Sequence, residues 1–350
     1  MVETKKCQGN NNGKERLHFI DVAKGILILL VVYGHLYAWT RKFNPEAADL
    51  ILQSLNLFIS FYMPAFFVIT GFCSNFKKPF LEFVSSSFKS ILLPDITFAV
   101  FFAIISFDVT IQRLYRIGKD FLMYGGQFWF LSALFIARLI YWVLYNNFSG
   151  NKTIVYSIIL FVIGFAMSFL YNYYEFWWFI HALLLTPYLC LGQLLRNHNM
   201  IPFRLAAILF TITLVVTVIL SSIGFLRVDY ADITFVLKVP AIVRSFINMN
   251  SSMIVSLILL SVTGSIMTIG LAKWIGKNAL LEYMGKNSIV IYCMHGFILR
   301  NFSLLLEDRV LSAFWYYVVV LMALILSVVV SCVIAYVLNR RFLKVLIGRF

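Results

Sequence analysis

Near its start the chain contains the stretch LHFIDVAKGILILLVVYGHLYA, residues 17–38. A helix needs about 20 apolar residues to cross the hydrocarbon core of a bilayer, and this run is long enough. No small-residue cleavage site follows it, so we expect it to stay in the protein rather than to be removed as a signal peptide. The stretch therefore predicts a membrane-spanning helix.

The composition extends this prediction to the whole chain. Of the 350 residues, 61% are hydrophobic and 13% are charged, against about 45–50% and about 25% in ordinary globular proteins. These values exclude a soluble fold of this size, a disordered chain, a collagen, a coiled coil and a small disulfide-stapled domain. The five cysteines are scattered without ligand spacing, so we expect no disulfide framework, no metal site and no tightly bound cofactor.

Ten apolar runs divide the sequence. They are Leu17–Ala38, Leu55–Phe72, Phe88–Phe107, Phe128–Tyr145, Thr153–Tyr171, Phe176–Leu195, Phe203–Phe225, Ser252–Leu271, Asn287–Phe302 and Ser312–Leu338. Their lengths predict an all-α integral membrane protein with about ten transmembrane helices. Residues 17–338 would form one transmembrane domain between tails at 1–16 and 339–350. The two longest connections, 108–127 and 226–251, each have room for a short surface helix.

The distribution of charge predicts an orientation. When the N-terminus is placed in the cytoplasm, the inside segments contain 17 of the 29 Lys and Arg residues and the outside segments contain 10. Acidic residues show the opposite bias, with four inside and nine outside. This pattern predicts cytoplasmic N- and C-termini in a multi-pass protein of the cell (inner or plasma) membrane. The net charge of +14 then needs no nucleic-acid partner.

Three ionisable residues of the first run, Asp21, Lys24 and His35, need an explanation, because such groups are costly at bilayer depth and commonly functional. Lys24 and His35 are eleven positions apart, which places them on one helix face about 16 Å apart along the axis. Two structural alternatives stay open. Asp21 and Lys24 can form an interfacial ion pair with Lys24 extended toward water, and His35 can be a packed, hydrogen-bonded histidine.

The second and fourth runs contain further candidates. Pro64 and Gly71 predict a kink and a close contact with another helix. Lys77 and Lys78 follow at the cytoplasmic edge, where they serve either as anchors or as a landing site for an anionic cytoplasmic molecule. Trp129 opens the fourth run at a position usual for the aromatic belt.

The ninth run is short and carries a polar stripe. Ser288, Tyr292 and His295 are spaced i, i+4 and i+7, so they share one helix face. A polar stripe on a short span indicates that the span lines a cavity, although a single histidine such as His295 is more often a packing residue. Besides Lys24, one other basic residue, Arg138, lies inside a predicted span, which is the fourth run. The sequence suggests no role for it.

In combination these residues resemble the acyltransferase-3 family of integral membrane acyltransferases. The family opens with an acidic residue, a basic residue followed by glycine, an apolar run and Gly-His, and this chain has Asp21, Lys24-Gly25 and Gly34-His35. The resemblance covers nearly the whole chain in order, and its other segments are Met63–Phe72, Trp129–Leu131, Thr186–Gly192 and Gly285–His295. Lys24 stands where Arg is common, which keeps the charge and loses a bidentate fork.

The resemblance implies an enzyme that moves an acyl group, usually acetyl, from cytoplasmic acyl-CoA to a hydroxyl of a sugar, often on an extracytoplasmic glycan. The general base would be His35, and Tyr292 or His295 would donate to the oxyanion, while an acyl-histidine intermediate stays open. The candidate residues are His35, Asp21, Tyr292 and His295 for catalysis, Lys24, Lys77 and Lys78 for the CoA phosphates, and Trp129 and Ser288 for substrate binding.

Two other functions remain as alternatives. A proton-coupled secondary transporter would also use Asp21, Lys24 and His35, but the sequence shows no paired interrupted helices in corresponding halves. A non-catalytic membrane scaffold has no need of the polar face in the first run. Binding of CoA distinguishes the enzyme from both.

Overall fold

The chain folds into apolar helices because its long hydrophobic runs can satisfy their backbone hydrogen bonds internally in lipid. The computed structural model describes residues 17–58, 60–105, 110–124, 128–170, 178–197, 202–222, 251–306 and 309–349. These ranges contain helices and no strand. The α-helices are α1 (His18–Thr40), α2 (Pro45–Phe58), α3 (Tyr62–Cys73), α4 (Phe80–Ser87), α5 (Leu93–Ile105), α6 (Ile111–Tyr124), α7 (Trp129–Asn147), α8 (Asn151–Leu170), α9 (Phe179–Asn197), α10 (Phe203–Ser222), α11 (Ser251–Ile275), α12 (Ala279–Lys286), α13 (Ser288–Leu305) and α14 (Ala313–Leu338).

Seven helical segments are long and apolar enough to cross a membrane. They are His18–Phe43, Phe80–Ile105, Trp129–Asn147, Phe179–Asn197, Ile258–Ile275, Ser288–Leu305 and Ala313–Leu338. Shorter apolar helices are found at Tyr62–Cys73, Asn151–Met167 and Phe203–Ile219. Each predicted run overlaps one of these segments, so the all-α, multi-pass membrane architecture is confirmed, while the count of about ten spans stays a prediction.

The second predicted span is wrong as a single helix. The run Leu55–Phe72 is divided, because α2 ends at Phe58 and α3 begins only at Tyr62. Pro64 therefore lies in the first turn of α3, where its missing N–H costs nothing, and not at a mid-helix kink. With 12 residues, α3 is about 18 Å long and too short to cross a hydrocarbon core of about 30 Å.

The third predicted span begins earlier than expected and contains a wide turn. Helices α4 and α5 are joined by a π-helical turn, Phe88–Leu92, in which the Leu93 N–H donates to the Phe88 carbonyl. In a regular α-helix the Ser90 carbonyl would accept from residue 94, but Pro94 has no N–H to donate. The π-helical turn therefore lies where Pro94 already interrupts the α-helical hydrogen-bond pattern.

Three short elements complete the fold. The predicted surface helix in 108–127 is present as α6, whereas the corresponding connection 226–251 lies almost wholly outside the described residues. Helix α12 and a 3₁₀ helix, Arg341–Ile347, were not expected from the sequence. The 3₁₀ helix packs against α5 and α14, so this part of the C-terminal tail belongs to the folded domain.

Glycines allow two pairs of helices to touch through their backbones. A β-carbon at Gly71 of α3 would overlap the Leu189 backbone of α9, and one at Gly192 of α9 would overlap the α3 backbone at Val68. The close contact predicted from Gly71 is thus confirmed. In the same way, Gly25 of α1 lies against the α12 backbone, and Gly285 of α12 lies against the α1 backbone.

The end of the bundle where α1 begins gathers basic side chains, and we call it the basic end, defined by Lys78, Arg196, Lys286 and Arg349. The Trp142 indole of α7 donates to the Lys78 carbonyl at 2.9 Å, and Arg196 of α9 donates to the Ser74 carbonyl at 2.8 Å. Arg349 donates to the Lys286 carbonyl. The first two bonds hold the loop after α3 against α7 and α9, and the third holds the end of α12 against the C-terminal segment.

We expect Gly71→Ala to destabilise the protein, because the added methyl group must push α3 away from the α9 backbone. Overpacking of this kind costs about 1–3 kcal/mol, and a lowered midpoint of thermal unfolding in detergent measures it. Gly296→Ala is the matched control, since a β-carbon at this helical position meets no atom within 4 Å. Equal stability of the two variants would contradict the close helix contact.

Candidate functional site

A cavity of about 630 Å³ opens between α1, α3, α4 with its wide turn, α7 and α13. The short helix α3 lines one wall of the cavity along the whole helix, from Met63 to Cys73. The lining residues are Lys24, Ile28, Met63, Phe66, Thr70, Cys73, Ser74, Lys78, Ser86, Ser90, Ile91, Phe130, Leu131, Leu134, Arg138, Ser288, Ile289 and Tyr292. The wall is therefore polar toward the basic end and aromatic and aliphatic toward the opposite end.

Three cations line this cavity, and its described lining contains no acidic side chain. The Lys78 ammonium is paired with Glu82 at 2.6 Å, and that carboxylate is mostly exposed. Lys24 lines the cavity, whereas Asp21 is buried where α1 meets α12. A cavity wall with an excess of positive charge is suited to an anionic ligand.

Arg138 is the third cation, and no role was predicted for it from the sequence. It lies on α7 one turn from Trp142, which is bonded to the Lys78 carbonyl, and is thus one turn deeper in the bundle than Lys78. Its guanidinium carbon is 5.0 Å from the centre of the Phe83 ring, and its buried Nε has no hydrogen-bond partner. A charged residue in the middle of a span was the available signal.

The start of α13 faces the same cavity. Ser288, the first residue of the helix, lines the wall together with Ile289. The amide groups of a helix N-terminus carry partial positive charge, so this end of α13 adds to the field of the cations. The polar stripe predicted for the ninth run therefore does face a cavity at its first two members, Ser288 and Tyr292.

Tyr292 connects the inner end of the cavity to a pair of histidines. Its ring lies 5.4 Å from the Phe130 ring, on the cavity wall, and 5.8 Å from the His295 ring. His295 in turn contacts His35 edge to face, with ring centres 4.6 Å apart and planes at 73°. The two histidines that the sequence singled out on separate spans are thus neighbours.

Both histidines are held in a defined tautomer. The Nδ1 of His35 lies 2.9 Å from the Val31 carbonyl, and the Nδ1 of His295 lies 3.2 Å from the Ile291 carbonyl. A carbonyl oxygen only accepts, so in each neutral ring Nδ1 carries the proton and Nε2 presents a lone pair. The Nε2 of His295 is buried without a hydrogen-bond partner. His35 is therefore packed and hydrogen-bonded, as the second structural alternative has it. Its Nε2 atom is nevertheless available to accept a hydrogen bond.

The remaining sequence candidates lie away from the cavity wall. Asp21 is buried where α1 meets α12, and Lys77 is exposed at the basic end. Trp129 is not a lining residue. Its ring lies 6.1 Å from Trp178 and 5.3 Å from His181, in an aromatic cluster on the side away from the basic end.

The position of α13 is fixed by hydrogen bonds at its start. The Asn287 amide donates to the Tyr283 carbonyl at 2.8 Å and accepts from Asn339 of α14 at 2.8 Å. Nearby, Glu282 of α12 lies 2.9 Å from the imidazole of His18 and accepts a hydrogen bond from Lys286 at 3.1 Å. These contacts tie α1, α12 and α14 to the turn from which the polar stripe of α13 extends.

Comparison with known proteins places these features in a family context. Residues 17–337 match the family model of acyltransferase-3, described as an acyltransferase domain. The nodulation protein NolL of Mesorhizobium japonicum is 30% identical over 150 residues, which are 39% of this chain and 38% of NolL. The matched region therefore spans well under two thirds of that curated relative. No solved structure matches.

The Glu282 contacts predict a dependence of stability on pH. The hydrogen bond from His18 is the main cause that lowers the pKa of Glu282 below its ordinary value of 4.5, with Lys286 acting in the same direction and burial opposing it. A lowered carboxyl pKa contributes stability above the ordinary value, and this contribution is lost as the pH falls through the folded-state pKa.

We expect Glu282→Gln to lower the midpoint of thermal unfolding at pH 7. The difference from wild type should shrink as the pH falls below 4.5 and vanish below the folded-state pKa. Glu82→Gln is the control, because its carboxylate is 56% exposed and paired only with Lys78, and exposed pairs contribute little. A difference that persists unchanged at low pH would show that the ionic contact is not the cause.

Proposed function

Because the chain belongs to the acyltransferase-3 family, it is a membrane acyltransferase, and we propose that it moves an acetyl group from cytoplasmic acetyl-CoA to a hydroxyl of an extracytoplasmic sugar. One observation carries this proposal. A cavity with cationic walls ends at Tyr292, beside a histidine pair with free Nε2 atoms. Acetyl-CoA is a substrate here, and the acceptor is a sugar or glycan.

The charge of the cavity favours a polyanionic donor. CoA carries a diphosphate and a 3′-phosphate at one end and its thioester at the other end of a long thin arm. Lys24 and Lys78 supply ammonium groups for phosphate oxygens at the basic end. Lys77 is exposed there and adds to the field outside the cavity rather than inside it. Ser288 adds a hydroxyl at the helix start, where anions are favoured.

His35 is suited to act as the general base. With Nδ1–H directed to the Val31 carbonyl, the Nε2 lone pair accepts the proton of the acceptor hydroxyl. The hydroxyl oxygen forms a bond to the thioester carbon, and the carbonyl electron pair moves onto oxygen. When that oxyanion collapses, the carbon–sulfur bond breaks, and the CoA thiolate takes the proton from the His35 imidazolium.

The oxyanion needs a hydrogen-bond donor, and Tyr292 is the better of the two candidates. Its side chain lines the cavity and lies next to the histidine pair. His295 as a neutral ring presents an acceptor at Nε2, because its Nδ1–H is directed to the Ile291 carbonyl. It would donate to an oxyanion only as an imidazolium, so its better role is to accept a hydrogen bond from the acceptor hydroxyl, or from His35 Nε2 once that ring has taken up the proton.

Asp21 is better suited to position α1 than to act on substrate. It precedes His35 by 14 positions, or about 21 Å along the helix, and it is buried against α12. Trp129 has a separate place in the proposal. Its cluster with Trp178 and His181 offers flat apolar ring faces on the side away from the basic end, where an acceptor sugar arrives.

The proposed direction of transfer requires the basic end to face the cytoplasm. Asn301, an exposed residue of α13, and Asn197, the exposed last residue of α9, belong to opposite ends of the bundle. In a background without native cysteines, Asn301→Cys should react with a membrane-impermeant thiol reagent added to intact cells. Asn197→Cys should react only after the membrane is opened. The reverse pattern would invert the orientation and exchange the donor and acceptor sides.

We expect His35→Ala to reduce acetyl transfer by at least 100-fold, since general acid–base catalysis contributes about 10²–10⁴-fold. CoA binding should be retained, because the cations lie at the other end of the cavity. Activity is measured as release of CoA thiol in the presence of acceptor glycan. Retention of more than about a tenth of wild-type activity would exclude His35 as the base.

A further inference from the structure

We propose that Arg138, together with Lys24, binds the diphosphate of the donor, and that the distance from this pair to the histidines selects a donor of CoA length. This inference rests on the proposed function, since it assumes a CoA thioester as donor. It adds a residue on α7 to the donor site and assigns the level at which the phosphates are held.

Two independent routes through the structure place Arg138 and Lys24 at the same depth. Along α1, Lys24 is about 16 Å from His35. Along α7, Arg138 is eight positions, or about 12 Å, from Phe130, whose ring contacts Tyr292. His295 lies three positions, or roughly 4.5 Å, further along α13. Arg138 is therefore also about 16 Å from the histidine pair.

This distance matches the reach of the CoA arm. Between the diphosphate and the sulfur, the pantetheine arm has about 12 single or amide bonds, equivalent to four extended residues or roughly 14 Å. The contact between a guanidinium and a phosphate oxygen adds about 3 Å. A diphosphate held at Arg138 and Lys24 thus places the thioester carbonyl within reach of His35 and Tyr292.

The same distance excludes the other anionic group that a donor could bring to Arg138. The carboxylate of a dicarboxylic acyl group lies only a few bonds, or about 5 Å, beyond the thioester carbonyl. With the carbonyl at the histidines, that carboxylate could not extend back over about 16 Å to the cations. The geometry therefore favours a phosphate ligand for Arg138 over an acyl carboxylate.

The surroundings of Arg138 indicate a site that is completed by a ligand. Its buried Nε has no hydrogen-bond partner, and no carboxylate pairs with Arg138 in the described ranges. A guanidinium that is partly withdrawn from water and has no paired anion carries a desolvation cost, which a bound phosphate would offset. Phe83 holds the guanidinium from one face, and hydroxyl groups of Ser86 and Ser90 line the same wall.

The test measures equilibrium binding of four ligands to the full chain in nanodiscs: CoA, dephospho-CoA, acetyl-CoA and succinyl-CoA. We expect Arg138→Gln to weaken all four by about tenfold or more, because each loses one charge-assisted hydrogen bond to the diphosphate. Arg138→Lys should lose less, since it keeps the charge without the fork. Arg204→Gln is the control, because Arg204 is exposed on α10 outside the cavity.

Cys73 provides a second readout, since it lines the cavity. In a variant with Cys73 as its single cysteine, CoA should slow alkylation of this thiol, and Arg138→Gln should raise the CoA concentration required by the same factor. This measurement reports occupancy of the cavity without any turnover. If Arg138→Gln does not fold, Arg138→Lys serves as the test variant, and we still expect it to lose a measurable part of its ligand binding.

The outcomes separate the inference from the proposed function. A loss for CoA, acetyl-CoA and succinyl-CoA that is absent for dephospho-CoA would assign Arg138 to the 3′-phosphate, and a loss confined to succinyl-CoA would assign it to a carboxylate. Either result overturns the inference. Unchanged binding of all four ligands by Arg138→Gln overturns it as well. A wild-type protein that binds no CoA, with Cys73 unprotected, would overturn the proposed function itself.

Discussion

The site depends on the contact between the backbones of α1 and α12. Gly25 and Gly285 have no β-carbons, so the two helices approach until main-chain atoms touch. That approach sets the position of the turn from which α13 begins, and the hydrogen bonds of Asn287 hold this turn. The register along α13 then follows from helix geometry, and it brings His295 onto His35. A bulkier residue at either glycine would move the two rings apart.

The cavity exists because two membrane segments depart from regular spans. Helix α3 covers only part of the bilayer, and the π turn of Phe88–Leu92 widens the neighbouring segment where Pro94 removes a hydrogen-bond donor. Polar groups at bilayer depth are tolerated where they line a cavity rather than face lipid. The protein carries few charges elsewhere in its spans. The serine and threonine hydroxyls of this wall and the guanidinium of Arg138 are tolerated because they face the cavity.

Sequence reasoning predicted the local features and one close contact between helices, at Gly71, but not the other features that arise between helices. Hydropathy indicates the spans, and helical spacing places Lys24 and His35, or Ser288 and Tyr292, on one face each. No periodicity shows that α2 and α3 are separate, since Leu55–Phe72 is predominantly apolar along its length. The contact between His35 and His295 joins residues 260 positions apart, and a single sequence holds no signal for it. Arg138 was visible as a charge within a span, but only packing shows that it faces the same space as Lys24.

Under the proposed function, the depth of Lys24 and Arg138 has an electrical consequence. With the phosphates held at that level, only an uncharged arm and a neutral acetyl group extend toward the far side of the membrane. The proton that leaves the acceptor departs with CoA as its thiol, in exchange for the acyl group that moves outward. In each turnover an acyl group, formally a cation, moves outward and a proton moves inward. A turnover therefore carries no net charge through the transmembrane field. That field would otherwise contribute about 2.3 kcal/mol per elementary charge for each 100 mV. In the proposed transfer, the thioester alone therefore drives the reaction, and a change in membrane potential does not shift its equilibrium.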